Sequence, residues 1–583
     1  MGKILKGLAA WVIALIVIVV IIVAAVGIYY GITLTSHHPT VTTTTTSTIP
    51  ITNISVTTIT APGVTVSPSK TTIVLYTWWS TEGKIALDHL IPAFEEQYPQ
   101  YLVATEIIPG GGGSNAVYAI MSLIKAGKPP DAFQTHYGPE MFSFLSEYPG
   151  GVKAGLNAFV NWTPYYEANL SGKVIPEVFE AGALNGYLAS MPTQVHTASL
   201  LYINIKVLQH YGLPIPTNLS QLINDTLQLV KDGFYNSTNA PWGISGAEGG
   251  WGGSLLWENI FLALGGPRLY DEFAYGTLNL SDPHVMSIIN ETNQIFAELA
   301  KYNLPGWTSM TWTQMAEELA TGHIAFFVMG DWATNYMYDY YNVTTYPALP
   351  QYLSNPNVTV VVEPFPGTQN YIDLIIDSIA VPTNLPPSLE KAAITFVEYW
   401  TSPQGQEIWT KWKGESYYLN MPTNYYNAPE QAWAYERLIN ESSNPSNWVY
   451  ALSDGGLFVS PQLTIQSALL SFQEGVYNYA QLISAINQSL TVEKESWLTA
   501  AKYGLGYLGF PGHPFGNYYP PWVNSSSGDP QKVVSSNSMY KNDNANVKSS
   551  ISNSLIMLPN LIIFTALALA PTILLAVSKR KIF

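Results

Sequence analysis

Hydrophobic and polar positions follow two different periods along the body of the chain, and the periods alternate in a regular order. Residues 72–77, 103–108 and 131–135 favour strands, because short apolar or β-branched runs end in turn residues. Residues 81–98 and 115–126 show the three- and four-residue spacing of helices that are apolar on one side. This strand–helix order predicts a parallel sheet with helices on its faces.

The same alternation continues further along the chain. Residues 324–328 and 374–381 favour strands, and residues 389–400 favour a helix. The sequence therefore predicts an α/β fold of two lobes, with the chain crossing between the lobes more than once. Additional helices are predicted at residues 219–230, 285–299 and 313–320.

Two long apolar runs frame this body. Residues 8–30 and 556–578 are each long enough to form a transmembrane helix, which takes about 20 residues. Basic residues flank the two outer ends of these runs, which predicts both termini inside the cell and the body outside. Lys6-Gly7 ahead of the first run indicates a prepilin-like leader, residues 1–7, with a retained signal anchor as the alternative.

Two polar segments join the apolar runs to the body. Residues 31–70 form a stalk, with eleven threonines between positions 40 and 60, and residues 523–555 form a linker rich in Ser and Asn. Such tracts bury too little apolar surface to fold by themselves. Thirteen Asn-X-Ser/Thr sequons predict a glycosylated protein on the cell surface.

Composition excludes several classes of function. The 583 residues contain no cysteine, so disulfides, thiol catalysis and cysteine metal sites are excluded. The formal net charge is −16, which argues against a nucleic-acid partner. The nine histidines form no HExxH motif, and we expect neither a metal nor a cofactor.

Aromatic residues indicate the candidate chemistry. A pyranose ring has C–H faces and hydroxyl edges, which match the flat face and single N–H donor of tryptophan beside carboxylates and amides. Trp78 and Trp79 follow a strand directly, and adjacent strand residues point to opposite faces, so both rings do not fit one core. The glycine-rich loop 109–114, Gln134 and His136 follow the next two strands, at the sheet edge where ligands bind.

Several motifs occur in an order typical of one family. The segments 77–79, 127–136, 188–192, 201–204 and 329–333 resemble those of the sugar-binding proteins of carbohydrate ABC importers. The likeness to the archaeal glucose-binding members extends over nearly the whole chain. It implies a type II periplasmic-binding-protein-like clamshell that captures a monosaccharide, glucose or a related hexose. The sugar would be delivered to the ABC permease from a membrane-anchored protein at the cell surface.

The resemblance also implies how the chain is divided. Three hinge crossings are expected, near residues 194–198, near residues 367–374 and after Leu419. The expected bounds are 71–195 plus 368–420 for lobe 1, and 196–367 plus 421–522 for lobe 2.

The family's sugar ligands carry over by motif. Glu415 interrupts the Lys-Gly-Ser motif that begins at Lys413, and Asp454 stands where bacterial glucose-binding relatives have a histidine. His196, near the first crossing, is interpreted as a structural histidine and is left out of the set. The implied sugar-binding residues are Trp78, Trp79, Glu82, Gln134, His136, Trp312, Trp332, Asp377, Lys413 and Asp454.

Reversible binding without catalysis is the expected activity, and three alternatives stay open. A glycoside hydrolase needs two carboxylates about 5–9.5 Å apart, for which Glu82 and Asp377 are candidates. The N-terminal signal also suits a pilus-like surface subunit. A peptide or another solute is a possible ligand on the same fold, because fold does not fix ligand.

Overall fold

The computed structural model describes residues 70–110 and 113–523. The predicted leader, both predicted transmembrane helices and nearly all of the stalk and linker lie outside these residues. Within the described ranges, no helix combines the length and apolar character needed to cross a membrane.

Fifteen strands and eighteen α-helices are found in the described part of the chain. The strands are β1 Thr71–Thr77, β2 Tyr101–Ile107, β3 Ala132–His136, β4 Met191–Pro192, β5 His196–Thr197, β6 Leu200–Asn204, β7 Ala240–Trp242, β8 Ile324–Val328, β9 Thr345–Pro347, β10 Val360–Pro364, β11 Ile372–Ile375, β12 Asp377–Ala380, β13 Trp448–Tyr450, β14 Gly509–Phe510 and β15 His513–Pro514. The helices are α1 Glu82–Gln97, α2 Ser114–Lys125, α3 Pro139–Glu147, α4 Val152–Ala158, α5 Thr163–Tyr165, α6 Pro176–Glu180, α7 Ile205–Tyr211, α8 Leu219–Lys231, α9 Trp251–Ala274, α10 Pro283–Ala300, α11 Trp312–Thr321, α12 Trp332–Tyr341, α13 Pro350–Leu353, α14 Pro387–Trp400, α15 Pro403–Thr410, α16 Pro429–Glu441, α17 Val459–Gln473 and α18 Tyr479–Ala501.

The first sheet has the strand order β2-β1-β3-β12-β4. Strand β1 forms because Ile73, Leu75 and Thr77 alternate inward, and it pairs in parallel with β2 and β3, as the periodicity predicts. Strand β12 then adds antiparallel to β3 and β4. The carboxyl end of β3 therefore meets the amino end of β12 at one edge.

The second sheet has the order β7-β8-β6-β10-β9 and is mixed. Strand β6 runs antiparallel to both neighbours, while β7 pairs in parallel with β8 and β9 with β10. All five residues of β6 and of β8 are buried, which is typical of central strands covered on both faces.

A third sheet of three strands, in the order β13-β11-β5, lies on segments that connect the two larger sheets. Strand β11 pairs antiparallel with β5 and in parallel with β13. Strands β5 and β11 fall where the first two crossings are expected. Strand β13 lies well beyond Leu419, after helix α16.

The single strand expected at residues 374–381 is wrong. Strand β11 ends at Ile375 in the third sheet, and β12 begins at Asp377 in the first. Only Ile376 separates them, and a continuous apolar run carries no signal for such a change of sheet.

Two separate hydrophobic cores accompany the two large sheets. The first includes Ile73 and Phe133, and the second includes Tyr202 and Phe326. Residues late in the chain divide between them: Leu469 belongs to the second core, while Leu508 and Phe515 belong to the first. The described C-terminal segment therefore packs against the first sheet's core.

Candidate functional site

The carboxylate of Asp377 lies at the centre of the candidate site, and strand register puts it there. Asp377 pairs with His136 across β12 and β3, and Gln134 lies two residues earlier on the same face. Gln134 Nε2 donates to Asp377 Oδ1 at 3.1 Å, and Trp79 Nε1 donates to Oδ2 at 3.3 Å. Three motifs that are distant in sequence thus meet at one carboxylate.

Asp377 is ionised, although it is only 4% exposed. Burial by itself would raise the pKa of this carboxyl. The hydrogen bond from His196 and the charges of Lys413 and His136 outweigh burial and hold the pKa well below its usual range. A buried carboxylate of this kind is a strong hydrogen-bond acceptor.

His136 links Asp377 to Asp454. Its Nδ1 donates to Glu140 Oε2 at 2.9 Å, and its Nε2 lies 3.9 Å from Asp377 Oδ1 and 3.7 Å from Asp454 Oδ1. Burial lowers the pKa of His136, but the Glu140 carboxylate and the two aspartates raise it to about 9. Trp78 packs on this charged ring at a centroid distance of 5.0 Å.

Asp454 follows β13 and is held by Trp251, whose Nε1 donates to Asp454 Oδ2 at 2.6 Å. Burial raises the pKa of Asp454 to about 6, against the opposing charge of His136. The Trp251 ring stacks on Trp332 at 5.9 Å with an interplanar angle of 24°. The second core therefore contributes a pair of indoles beside the carboxylates.

Sequence reasoning missed Trp251, because it lies among glycines that are typical of a loop. Gly250 has φ +97°, and a Cβ at this position would lie 2.0 Å from the backbone oxygen of Gln466. Only glycine allows α9 to begin this close to α17. The sequence signal that could have identified it is the tryptophan directly after Gly249-Gly250, at the start of a helix.

Lys413 connects three further candidates. Its Nζ bonds Glu82 Oε1 at 2.8 Å and lies 5.4 Å from the centroid of the Trp332 ring. Lys413 is 5% and Glu82 is 3% exposed, so the ion pair is almost fully desolvated. Lys413 keeps this contact although Glu415 alters the motif after it.

Trp312 is the exception among the ten predicted residues. Its half-buried ring packs on Tyr336 at 5.0 Å, and its backbone N–H donates to Glu248 Oε1 at 2.9 Å. Across the described residues, no hydrogen bond, ion pair or ring contact joins Trp312 to the other nine. Trp312 is therefore connected to the cluster only indirectly, through Tyr336 of α12, the helix that begins with Trp332.

His196, which the sequence analysis leaves out, contacts the site. Its Nε2 lies 3.7 Å from Asp377 Oδ2, its ring packs on Trp332 at 5.1 Å, and its Nδ1 bonds Asp331. The ligand atoms of His196, Asp331 and Glu415 lie within 4.8 Å of one another, the one group among the described residues with the spacing of a metal site.

A mixed α/β fold with two sheets, three connecting strands and a buried cluster of indoles and charged groups defines a solute-binding protein. In agreement, residues 78–407 match the family described as bacterial extracellular solute-binding protein. The chain belongs to this family.

The chain is also similar to individual proteins of this kind. The chain is 48% identical over 458 residues to the glucose-binding protein GlcS of Saccharolobus solfataricus, covering 78% of this chain and 80% of that protein. It is 28% identical over 341 residues to an uncharacterized ABC transporter extracellular-binding protein of Pyrococcus horikoshii, covering 57% and 70% of the two chains. The solved structure of a chitin oligosaccharide binding protein superposes with a TM-score of 0.58 at 17% identity, covering 73% of this chain and 99% of that one. These relatives are binding proteins rather than enzymes, which confirms the expected absence of catalysis over the hydrolase alternative.

Proposed function

We propose that this protein captures glucose or a related hexose outside the cell and delivers it to the permease of an ABC importer. The observation that carries the proposal is the convergence of ionised Asp377, the Lys413–Glu82 pair and the Trp251–Trp332 indoles. The 48% identity to a protein named for glucose binding supports the choice of sugar.

The ligand binds between two lobes that open and close. The proposed lobes are 71–195 plus 368–420 and 196–367 plus 421–522, although the packing of Leu508 and Phe515 in the first core favours assigning the last segment to lobe 1. The site groups are bonded to one another and almost inaccessible, so a sugar enters by separating them. Closure then returns each group to a partner, now a sugar hydroxyl.

Selectivity follows from the cost of unmatched groups. Asp377 accepts hydroxyl hydrogen bonds, and charged His136 and Lys413 donate them, at short range in a desolvated site. The indole faces pack on the C–H faces of the ring. A hydroxyl of the wrong configuration leaves a buried polar group unpaired, which costs about 1–3 kcal/mol, or about fivefold to a hundredfold in affinity.

Titration calorimetry of the purified full-length protein tests this proposal. We expect one hexose among glucose, galactose and mannose to bind more tightly than xylose, arabinose or maltose. Trp332→Ala should weaken that binding by about a hundredfold, since it removes a stacking face and the ring beside Lys413. The matched control is Trp433→Ala, which removes a half-buried indole that packs on Arg437 on α16.

Absence of heat with every sugar would reject the proposal in favour of another solute on the same fold. Equal loss in Trp332→Ala and Trp433→Ala would show that the effect is structural. Release of product from aryl glycosides would contradict reversible binding as the sole activity.

Anchoring in the membrane is part of the proposal. Residues 8–30 and 556–578 are proposed as transmembrane helices that hold the binding body at the outer surface, after removal of residues 1–7. Sedimentation with membranes tests this: deleting both runs should move the protein to the soluble fraction, and N-terminal sequencing of the mature chain should begin at Leu8.

We also propose that the body carries N-linked glycans. Every sequon asparagine within the described residues is solvent-exposed, as an acceptor for a bulky glycan must be. Glycopeptide mass spectrometry of protein from its native host is the test. The exposed sequon asparagines are Asn161, Asn169, Asn218, Asn224, Asn236, Asn279, Asn290, Asn342, Asn357, Asn440 and Asn487.

A further inference from the structure

Glu140 lies behind His136 and accepts three hydrogen bonds from the end of β3. Its Oε1 accepts from Thr135 Oγ1 at 3.0 Å and from the His136 N–H at 2.8 Å. Its Oε2 accepts from His136 Nδ1 at 2.9 Å. Glu140 is buried, so water does not compete for these bonds, and each carboxylate oxygen has a fixed set of donors.

The local backbone fixes this arrangement. Glu140 is the second residue of α3, where a negative charge is favourable because the helix dipole is positive at its amino end. Gly138 makes the turn between β3 and α3 with φ +82°, and a Cβ at this position would lie 2.9 Å from the Cα of Gly182. The carboxylate of α3 is therefore held against the imidazole at the end of β3.

The bond to Glu140 determines what the imidazole offers to the site. Because Nδ1 is bonded to Glu140, Nε2 faces the two aspartates, 3.9 Å from Asp377 Oδ1 and 3.7 Å from Asp454 Oδ1. A neutral ring that donates through Nδ1 has a lone pair on Nε2, whereas a charged ring has a hydrogen on both nitrogens. Only the charged ring therefore donates from Nε2 while Nδ1 stays bonded to Glu140.

The carboxylates around the ring favour its charged form. Burial lowers the pKa of His136, but the charge and hydrogen bond of Glu140, together with the charges of the two aspartates, raise it to about 9. All the titratable groups that face the ring from the elements packed against it are acids, so none competes with it for the positive charge. They are Glu140 on α3, Asp377 on β12, Tyr450 on β13 and Asp454 after β13.

An open acceptor lies beside this donor. Asp454 Oδ1 is buried and accepts no hydrogen bond from any donor among the described residues, while Asp454 Oδ2 accepts from Trp251 Nε1. The 3.7 Å between His136 Nε2 and Asp454 Oδ1 is longer than a hydrogen bond. A charged donor and a buried acceptor placed side by side complement a hydroxyl group, which accepts one hydrogen bond and donates another.

We infer that Glu140 is a positioning residue that sets the selectivity of the sugar site, by holding His136 as a charged donor for one particular sugar hydroxyl. That hydroxyl accepts from His136 Nε2 and donates to Asp454 Oδ1. A sugar that lacks it leaves both buried groups unpaired. Glu140 acts only through His136. This inference rests on the proposed sugar binding and names the feature of the sugar that the site recognises.

Glu140→Gln tests this role with little change of shape. The amide oxygen has to replace Oε1, which accepts from Thr135 and from the His136 N–H, so the amide nitrogen faces Nδ1. The ring is then neutral with its hydrogen on Nε2, and it donates without a charge. We expect sugar affinity near neutral pH to fall by about tenfold, because a charge-assisted hydrogen bond is roughly twice as strong as a neutral one.

Calorimetry with monodeoxy derivatives of the bound hexose identifies the hydroxyl. Removal of the recognised hydroxyl should cost the wild type about tenfold more affinity than it costs Glu140→Gln, because the variant has less of this interaction to lose. Every other derivative should cost the two proteins the same. A merely structural role of Glu140 would weaken all derivatives by one common factor, which would contradict the inference.

The pH profile of sugar affinity gives a second readout. Above about pH 9 the wild-type ring becomes neutral with its hydrogen on Nδ1, so affinity should fall by up to about tenfold per pH unit. Glu140→Gln should show no such fall, since its neutral ring already donates from Nε2. Glu493→Gln is the matched control and should follow the wild type, because Glu493 on α18 is equally buried and likewise accepts from a backbone N–H, that of Phe458.

Nitrogen NMR signals of the His136 ring separate failure of this inference from failure of the proposed function. At neutral pH and without sugar, both ring nitrogens should be protonated in the wild type, and Nε2 alone in Glu140→Gln. The signals are assigned by their loss in His136→Gln. Identical protonation in the two proteins would overturn the inference even where sugar binds, whereas absence of heat with every sugar would reject the proposed function and this inference with it.

Discussion

The two sides of the site are built on opposite principles. On the first sheet, Gln134, His136 and Asp377 come from neighbouring strands, and ladder register fixes their spacing. On the second side, Trp251 and Trp332 are the first residues of two helices, and each ring is placed by packing rather than by register. The comparison teaches that charge is concentrated on the strand side and aromatic surface on the helix side, and we propose that the first selects sugar hydroxyls and the second packs on the sugar ring.

Removing the central carboxylate should have the largest effect. In Asp377→Ala the donors on Gln134 and Trp79 lose their acceptor, and each buried unpaired donor costs about 1–3 kcal/mol. We expect sugar affinity to fall by at least about a hundredfold and the free energy of unfolding to fall by about 3 kcal/mol. Calorimetry and urea unfolding measure the two changes.

The control for this change is Asp282→Ala. Asp282 caps α10 by accepting from His284 N at 2.8 Å, which is worth about 1 kcal/mol of stability. Its loss should not alter sugar affinity. Unchanged sugar affinity in Asp377→Ala would show that the strand side does not form part of the sugar-binding site.

His136 and Asp454 should make the protein lose stability as the pH rises, whereas the contribution of Asp377, whose pKa is lowered, is lost only in stronger acid. Since the pKa of His136 is about 9, above its usual 6.5, its stabilising contribution is complete below 6.5 and is lost as pH rises through 9. The pKa of Asp454 is raised from 3.8 to about 6, so its contribution is complete below 3.8 and is lost through 6.

Urea midpoints measured from acid to alkaline pH test this sign. His136→Gln should remove the fall between 6.5 and 9, and Asp454→Asn the fall between 3.8 and 6. A wild type that gains stability on rising from neutral pH to 9 would contradict the assignment.

The helix side is tested by Trp251→Phe, which keeps an aromatic face and removes the N–H that binds Asp454. The buried carboxylate then loses a charge-assisted hydrogen bond worth about 1.5–3 kcal/mol, so we expect a roughly tenfold or larger loss of affinity. Trp522→Phe removes a comparable indole bond, to Gly506 O, and should leave affinity unchanged. Equal affinities of the wild type and Trp251→Phe would leave Trp251 with a packing role alone.

The smallest effect on sugar affinity is expected for Trp78→Phe, and it should distinguish Trp78 from its neighbour Trp79. Trp79 lies in the first core against Trp409 at 4.7 Å and bonds Asp377, whereas Trp78 is half-buried on His136. Trp78→Phe should weaken binding by about threefold, less than one kcal/mol, because a smaller ring still covers His136. Trp79→Phe should lower both stability and affinity. A larger loss of affinity in Trp78→Phe than in Trp79→Phe, measured by calorimetry, would contradict this assignment.

Strand periodicity predicted the part of the site that strand ends create. Gln134 and His136 lie at the edge expected from the strand–helix alternation, and Asp377 was placed by motif resemblance before register explained it. Three other features depend on packing between elements that are distant in the sequence. They are the burial of Trp79 in the first core, the approach of His196 to Asp377, and the bond of Trp251 to Asp454. Local periodicity contains no information on those contacts, for the same reason that it merged β11 with β12.

The small sheet β13-β11-β5 has a mechanical consequence. Its three strands are hydrogen-bonded side by side, so one strand cannot slide past its neighbour without breaking those hydrogen bonds. A ligand or partner that changes the angle of one of these strands is therefore expected to change the angles of the other two as well.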